Sequence, residues 1–124
     1  LVAISSCKKD EDPQINESVM LIDSIAHPDT VALGSTLTIN FYGVIGNGCD
    51  SFSRFEDVEL SEGEPQNTFK IRIYRKTENE PNCTEELKYL DSSLNLTGML
   101  AGTFYIKVVQ PDGSYLEGEV FVEE

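Results

Sequence analysis

The chain has 124 residues, with nine Lys and Arg against 22 Asp and Glu and a net charge of −13 at pH 7. This length fits a single domain with one hydrophobic core. The charge disfavours nucleic acid and anionic membrane surfaces as partners, because both would repel the protein. No run approaches the roughly 20 apolar residues that a membrane-spanning helix needs.

The first recognisable pattern in the chain is Ile4-Ser5-Ser6-Cys7. An aliphatic residue three places before a cysteine, with small residues between them, resembles the lipobox of bacterial lipoprotein precursors. Small residues let an extended chain enter a peptidase cleft, and a thiol is nucleophilic enough to be alkylated. The resemblance implies that residues 1–6 are the remnant of a signal peptide and that Cys7 carries a diacylglycerol. The protein would then be anchored by lipid and not by a helix.

A short charged segment follows the cysteine. It reads Lys-Lys-Asp-Glu-Asp over residues 8–12 and resembles the run that some Gram-negative bacteria use to send lipoproteins to the outside of the outer membrane. Residues 8–18 contain Pro13 and show no hydrophobic period, so we expect residues 7–18 to form the lipidated end and a flexible acidic tether. The resemblance implies an outer-membrane protein exposed at the cell surface, with its domain at residues 19–124.

The other two cysteines, Cys49 and Cys83, remain as one pair if Cys7 is lipidated. A lipoprotein of this kind matures in an oxidising compartment, where a disulfide between them would persist. Two free buried thiols or a metal pair are the alternatives. Zinc is disfavoured because the chain has no Cys-x-x-Cys motif and His27 is its only histidine. The sequence indicates no metal and no other cofactor.

From residue 19 onward, short apolar stretches alternate with turn residues at the period of two that strands require. The predicted strands lie at residues 19–26, 30–33, 35–44, 51–60, 69–74, 92–96, 104–109 and 116–122. The break at Pro28 is typical of an edge strand that passes from one sheet to the other. A change of parity between Phe52 and Phe55 predicts a bulge. Residues 85–90 are compatible with either a short helix or a strand.

The last two strands flank Pro111-Asp112-Gly113, which predicts a tight β-hairpin. Seven or eight short strands without a convincing long helix predict an all-β fold, an antiparallel β-sandwich. Residues 36–41 and 100–108 resemble strands B and F of immunoglobulin-like domains, the second with Phe104 or Tyr105 at the tyrosine corner. Together with the lipobox, the chain resembles the small uncharacterised immunoglobulin-like lipoproteins of Gram-negative bacteria. It has no tryptophan, and Cys49 lies in a glycine turn after strand B, unlike the cysteine of antibody domains.

No set of residues points to catalysis. His27 lies beside Pro28 and is interpreted as a solvent-exposed turn residue, without an orienting acid or a nucleophile that it could activate. The acids of residues 56–59 and 117–119 are more typical of solvated strand faces than of a paired-carboxylate site. We therefore expect a protein that is not an enzyme.

Two groups of surface residues are candidates for binding or modification. The outward tyrosines, chiefly Tyr42 and Tyr105, are a possible stacking face for a sugar or peptide, although cross-strand pairing also explains such residues. Ser24 and Thr30 lie in Asp-Ser-Ile and Asp-Thr-Val triplets, which resemble sites that some Gram-negative bacteria O-glycosylate.

These features predict a lipid-anchored cell-surface module that binds or spaces an unknown protein or glycan ligand, with the outer membrane as its other partner. The alternative is a carbohydrate-binding lipoprotein that serves a glycan-uptake system. The absence of tryptophan weighs against the alternative, because sugar platforms usually need large aromatic faces. Nothing in the sequence identifies the ligand.

Overall fold

The computed structural model describes residues 15–78 and 82–124. These residues form nine β-strands: β1 Ile15–Val19, β2 Ser24–Ala26, β3 Thr30–Ala32, β4 Leu37–Gly46, β5 Asp50–Asp57, β6 Thr68–Glu78, β7 Lys88–Leu96, β8 Gly102–Val109 and β9 Tyr115–Glu123. Within the described ranges, no helix is long and apolar enough to cross a membrane.

The strands form two sheets, and the predicted all-β sandwich is confirmed. The large sheet has the order β5-β6-β8-β9-β3, and β1 also pairs with β6. Because β5 pairs along most of one edge of β6, β1 and β8 lie end to end on its other edge. The small sheet has the order β2-β4-β7.

Two pairings differ from the antiparallel expectation: β6 with β8 and β3 with β9 are parallel. In an immunoglobulin sheet of order C-F-G, neighbouring strands are antiparallel. Here β6, the second strand of the β5–β6 pair, lies beside β8. Strand β5 is therefore at the margin of the sheet. Alternation within a strand does not report which neighbour the strand has, so this order could not be read from the pattern.

The core is formed by the alternate residues of both sheets. Leu37, Ile39 and Phe41 of β4 are fully buried, and they face Ile71 and Ile73 of β6 together with apolar residues of β8 and β9. Phe41 packs against Phe55 of β5 with ring centroids 5.6 Å apart. This is the apolar face that the period of two predicted in these strands.

The N-terminal part of the domain differs from the prediction. Strand β1 begins at Ile15, so the last four residues of the expected tether belong to the large sheet. The predicted strand at 19–26 is interrupted at residues 20–23, where the chain crosses to the small sheet. The crossing is accommodated at Gly43, where a Cβ atom would lie 2.8 Å from the carbonyl oxygen of Leu21. A second crossing follows β2 at the Pro28 break, as predicted.

Buried Gln110 completes the backbone hydrogen bonds of the first crossing. Its side-chain oxygen accepts a hydrogen bond from the N–H of Ile22 at 3.0 Å, and its amide nitrogen donates to the carbonyl oxygen of Ile22 at 2.8 Å. Both groups would otherwise be buried without a strand partner, which is costly. No sequence pattern marks this role.

The bulge in β5 and the last hairpin lie where the sequence predicts them. The pairing of β5 with β6 shifts register between Phe52 and Arg54, so the predicted bulge is confirmed. The hairpin of β8 and β9 is confirmed, and Gly113 in its turn has a φ of 90°. Residues 82–87 are neither helix nor strand, and β7 begins at Lys88.

Candidate functional site

A cleft of about 560 Å³ lies at one end of the sandwich, where β6 and β8 begin and β7 ends. This volume is in the range of roughly 300–1,000 Å³ found for small-molecule sites. Six of its lining side chains are apolar: Leu60, Phe69, Leu96, Met99, Leu100 and Phe104. The other lining residues are Gln66, Asn67, Thr68, Thr97 and Gly98, so the described part of the chain contributes no charged side chain to the lining.

One wall of the cleft is fixed by Asn67. Its amide nitrogen donates to the carbonyl oxygens of Leu100 at 2.9 Å and Thr103 at 3.1 Å, and its side-chain oxygen accepts from the N–H of Leu100 at 2.9 Å. The loop between β7 and β8 turns at Gly98, whose φ of +82° is strained for other residues. The amide of Asn67 is therefore occupied in holding the loop.

The neighbouring loop, residues 58–67, is held over the outer face of the large sheet by Glu64. The carboxylate of Glu64 contacts the ammonium groups of Lys70 at 3.0 Å and Lys107 at 2.9 Å. It also accepts a hydrogen bond from the N–H of Ser61. Because residues 60, 66 and 67 line the cleft, these contacts position a second wall.

Hydrogen bonding from Lys107, from the N–H of Ser61 and from Lys70 lowers the pKa of Glu64 from its ordinary value of 4.5 to about 2. The same carboxylate raises the pKa of Lys70 and of Lys107. The two ammonium groups also lie 5.2 and 5.1 Å from the ring centroid of Tyr115, within cation–π distance. Glu64 is therefore charged throughout the neutral and mildly acidic range.

We expect this carboxylate to make folding stability depend on pH. Its stabilising contribution is complete above about pH 4.5 and is lost as the pH falls toward about 2, because folding favours the charged form. Glu64→Gln should therefore lower the urea midpoint at about pH 6. At about pH 2.5 the urea midpoints of the variant and the wild type should lie closer together. Exposed Glu62 on the same loop provides the matched control, Glu62→Gln. An unchanged gap between Glu64→Gln and the wild type across this range would contradict the assignment.

The two tyrosines predicted as a ligand face do not lie together. Tyr42 lies on β4 of the small sheet and Tyr105 on β8 of the large sheet. Each alternates with buried residues, so the two side chains lie on opposite outer faces of the sandwich. Neither lines the cleft. Ser24 and Thr30, the predicted glycosylation residues, are both exposed, and their modification stays a prediction.

His27 is half-buried, which corrects the interpretation of a freely exposed turn histidine. Its Nδ1 lies 2.9 Å from the carbonyl oxygen of Pro28, and the ring covers Gly118, where an added Cβ would lie 2.7 Å from Nε2. It does not line the cleft. Across the described parts of the chain, no three His, Cys, Asp or Glu side chains are grouped so that they could hold a metal ion.

The predicted disulfide between Cys49 and Cys83 is present, with the two Cα atoms 5.2 Å apart. It joins the turn before β5 to the segment before β7, where the N–H of Gly48 also donates to the carbonyl oxygen of Thr84 at 3.0 Å. Cys7, the predicted lipidation site, lies outside the described residues.

The cleft and the start of the domain lie at opposite ends of the sandwich. Ile15 pairs with Glu78 at the last residue of β6, whereas residues 66–69 line the cleft at its beginning. The 11 residues of β6 span roughly 33 Å at about 3.3 Å per residue. The disulfide lies near the end of the sandwich that contains Ile15, since the N–H of Glu78 donates to the carbonyl oxygen of Cys49.

The cleft was not anticipated from the sequence, because its lining comes from four separate stretches of the chain. The polar run at residues 63–67 was interpreted only as a turn, and neither Glu64 nor Asn67 stood out from its neighbours. Comparison with protein-family models, with curated proteins and with solved structures found no match for this chain.

Proposed function

We propose that this chain is a lipid-anchored, non-enzymatic binding module of the outer-membrane surface, of the small immunoglobulin-like lipoprotein type, and that the cleft holds its ligand. The observation that carries the proposal is the position of the cleft at the end of the sandwich remote from Ile15. A lipid on Cys7 would hold the Ile15 end toward the membrane. The cleft would then face the medium.

The lining of the cleft supports a neutral ligand with an apolar part. The protein carries a charge of −13, yet no charged side chain of residues 15–78 and 82–124 lines the cleft. Six apolar side chains favour burial of hydrocarbon or aromatic surface, and Gln66 and Thr97 can orient a polar group. A ligand with several charges would lose its hydration there without compensation.

The carbohydrate-binding alternative has less support. A sugar needs several hydrogen-bonding side chains and an exposed aromatic face, but the amide of Asn67 is engaged with the backbone of the neighbouring loop. Phe104, one of the two aromatic residues in the lining, is only 6% exposed. Among the described residues, the lining consists of apolar, amide and hydroxyl side chains and one glycine, a composition suited to binding.

Substitution at the rim of the cleft tests this proposal with Nile red, a neutral apolar dye, as the probe. Leu100 is 57% exposed on the rim, and Leu33 is 49% exposed on the loop after β3. Leu100→Lys should weaken dye binding by at least about tenfold, because a bound apolar dye would displace water from the ammonium at the rim. Leu33→Lys should bind the dye as the wild type does. Equal effects of the two substitutions, as measured by fluorescence titration, would mean that the cleft is not the binding site.

A further inference from the structure

Strand β7 presents a long free edge. It ends the small sheet, in the order β2-β4-β7, and its nine residues pair with β4 on one side only. The N–H and C=O groups that point away from β4 have no strand partner among residues 15–78 and 82–124. An edge of this kind is a template for another strand.

The other edges are short or protected. Strand β1, which pairs only with β6, has five residues, and strands β2 and β3 have three residues each. Strand β5 has eight, but it is interrupted by the bulge near Phe52 and carries Arg54, Glu56 and Asp57. Charges and bulges are the devices by which edges avoid pairing.

Strand β7 is less protected, because its register shift against β4 lies only at its start, beside Lys88. Its register with β4 is continuous from Leu96 to Tyr89, and it contains no proline. Beyond Lys88 at its start, Asp91 is its one charged residue. The edge is therefore open to a further strand along most of its length.

The two sheets also differ in width. The large sheet is five strands wide and the small sheet is three, so two strand positions of the large sheet have no counterpart. At the β5 margin, Phe52 and Phe55 are half-buried, with ring centroids 4.9 Å apart. Strand β5 contacts β7 of the small sheet.

We propose that the outer edge of β7 receives an extended segment of another protein as an additional strand, in the manner of β-strand addition. The inward positions of β7 include Leu90, Leu94 and Leu96, so the incoming segment would carry apolar residues at alternate positions. Its outward residues would be polar and basic, because they would flank Asp91 on a protein of charge −13. The same charge opposes a second copy of this chain in that place.

A synthetic nine-residue peptide of alternating valine and lysine is the probe, and a peptide of the same composition with its valines contiguous is the control. Titration of the ¹⁵N-labelled protein, followed by amide hydrogen exchange, should show new protection confined to residues 88–96 with the alternating peptide. The control peptide should bind at least about tenfold more weakly, since it cannot direct its apolar residues to one face.

Charge reversal on the edge separates specific pairing from general attraction to an acidic protein. Asp91→Lys should weaken binding of the alternating peptide by about threefold or more, because the lysines of the peptide would then be repelled at this position and not attracted. Exposed Asp57 at the β5 edge is the matched control, and Asp57→Lys should have a smaller effect. Protection at another edge, equal binding of both peptides, or equal effects of the two substitutions would overturn the proposal. Self-association of the free protein through β7, detected by sedimentation, would also overturn it in favour of a second copy.

Discussion

Replacing Cys7 by alanine is expected to move nearly all of the protein from the outer-membrane fraction to the soluble fraction of its native host. A lipid contributes about 0.8 kcal/mol per buried CH₂, and a polypeptide without it has only weak surface attraction to the bilayer. The charge of −13 makes that residual attraction smaller still. The released protein should stay folded, because Cys7 precedes all nine strands found in the described residues.

The measurement is fractionation followed by immunoblotting, with intact-mass analysis to detect the lipid. Ser5→Ala keeps a small residue within the lipobox-like pattern and is the matched control, which should remain with the membrane. A Cys7→Ala protein that still fractionates with the outer membrane would contradict the proposed anchor. A protein partner would then be the tether.

Removal of the disulfide is expected to have the largest effect on stability. The bridge closes a separation of 34 residues, which in the loop-entropy model contributes about 4 kcal/mol. Because domains of this size are stable by only about 5–15 kcal/mol, the variant with Cys49→Ala and Cys83→Ala should be close to the limit of folding. Urea unfolding of this variant, compared with the oxidised wild type, measures the difference.

The double substitution should also loosen residues 82–87, which have no strand or helix of their own and are joined to the domain through this bridge. Ser51→Ala, close to the bridge, should stay within about 0.5 kcal/mol of the wild type, as is usual for substitutions outside the core. Reduction of the wild type should reproduce the loss. A difference below about 1 kcal/mol would show that the unfolded chain is little constrained by the bridge.

The strand pattern shows how far local chemistry determines this fold. Residues 37–41 and 104–108 alternate so regularly that their buried faces could be assigned from the sequence, and the parity change near Phe52 located the bulge. Each of these features depends on a few adjacent residues, whose side chains alternate between the two faces of the strand. The same residues contain no information about neighbours distant in the chain. The parallel pairing of β6 with β8 therefore came only from the assembled sheet.

The sequence by itself determined the strand class, most strand positions and the hairpin turn at Gly113, because these depend on local alternation and turn geometry. The pairing of Cys49 with Cys83 was a prediction that rested on setting Cys7 apart as the lipidation site, and the disulfide is present in the structure. Only the tertiary structure decided the order of the strands, the role of Gln110, the Glu64 contacts and the cleft. Each of these brings together residues far apart in the chain: Gln110 and Ile22 are separated by 88 positions, and Glu64 and Lys107 by 43. Such contacts depend on how the two sheets pack as a whole, and no periodic pattern along the chain predicts them.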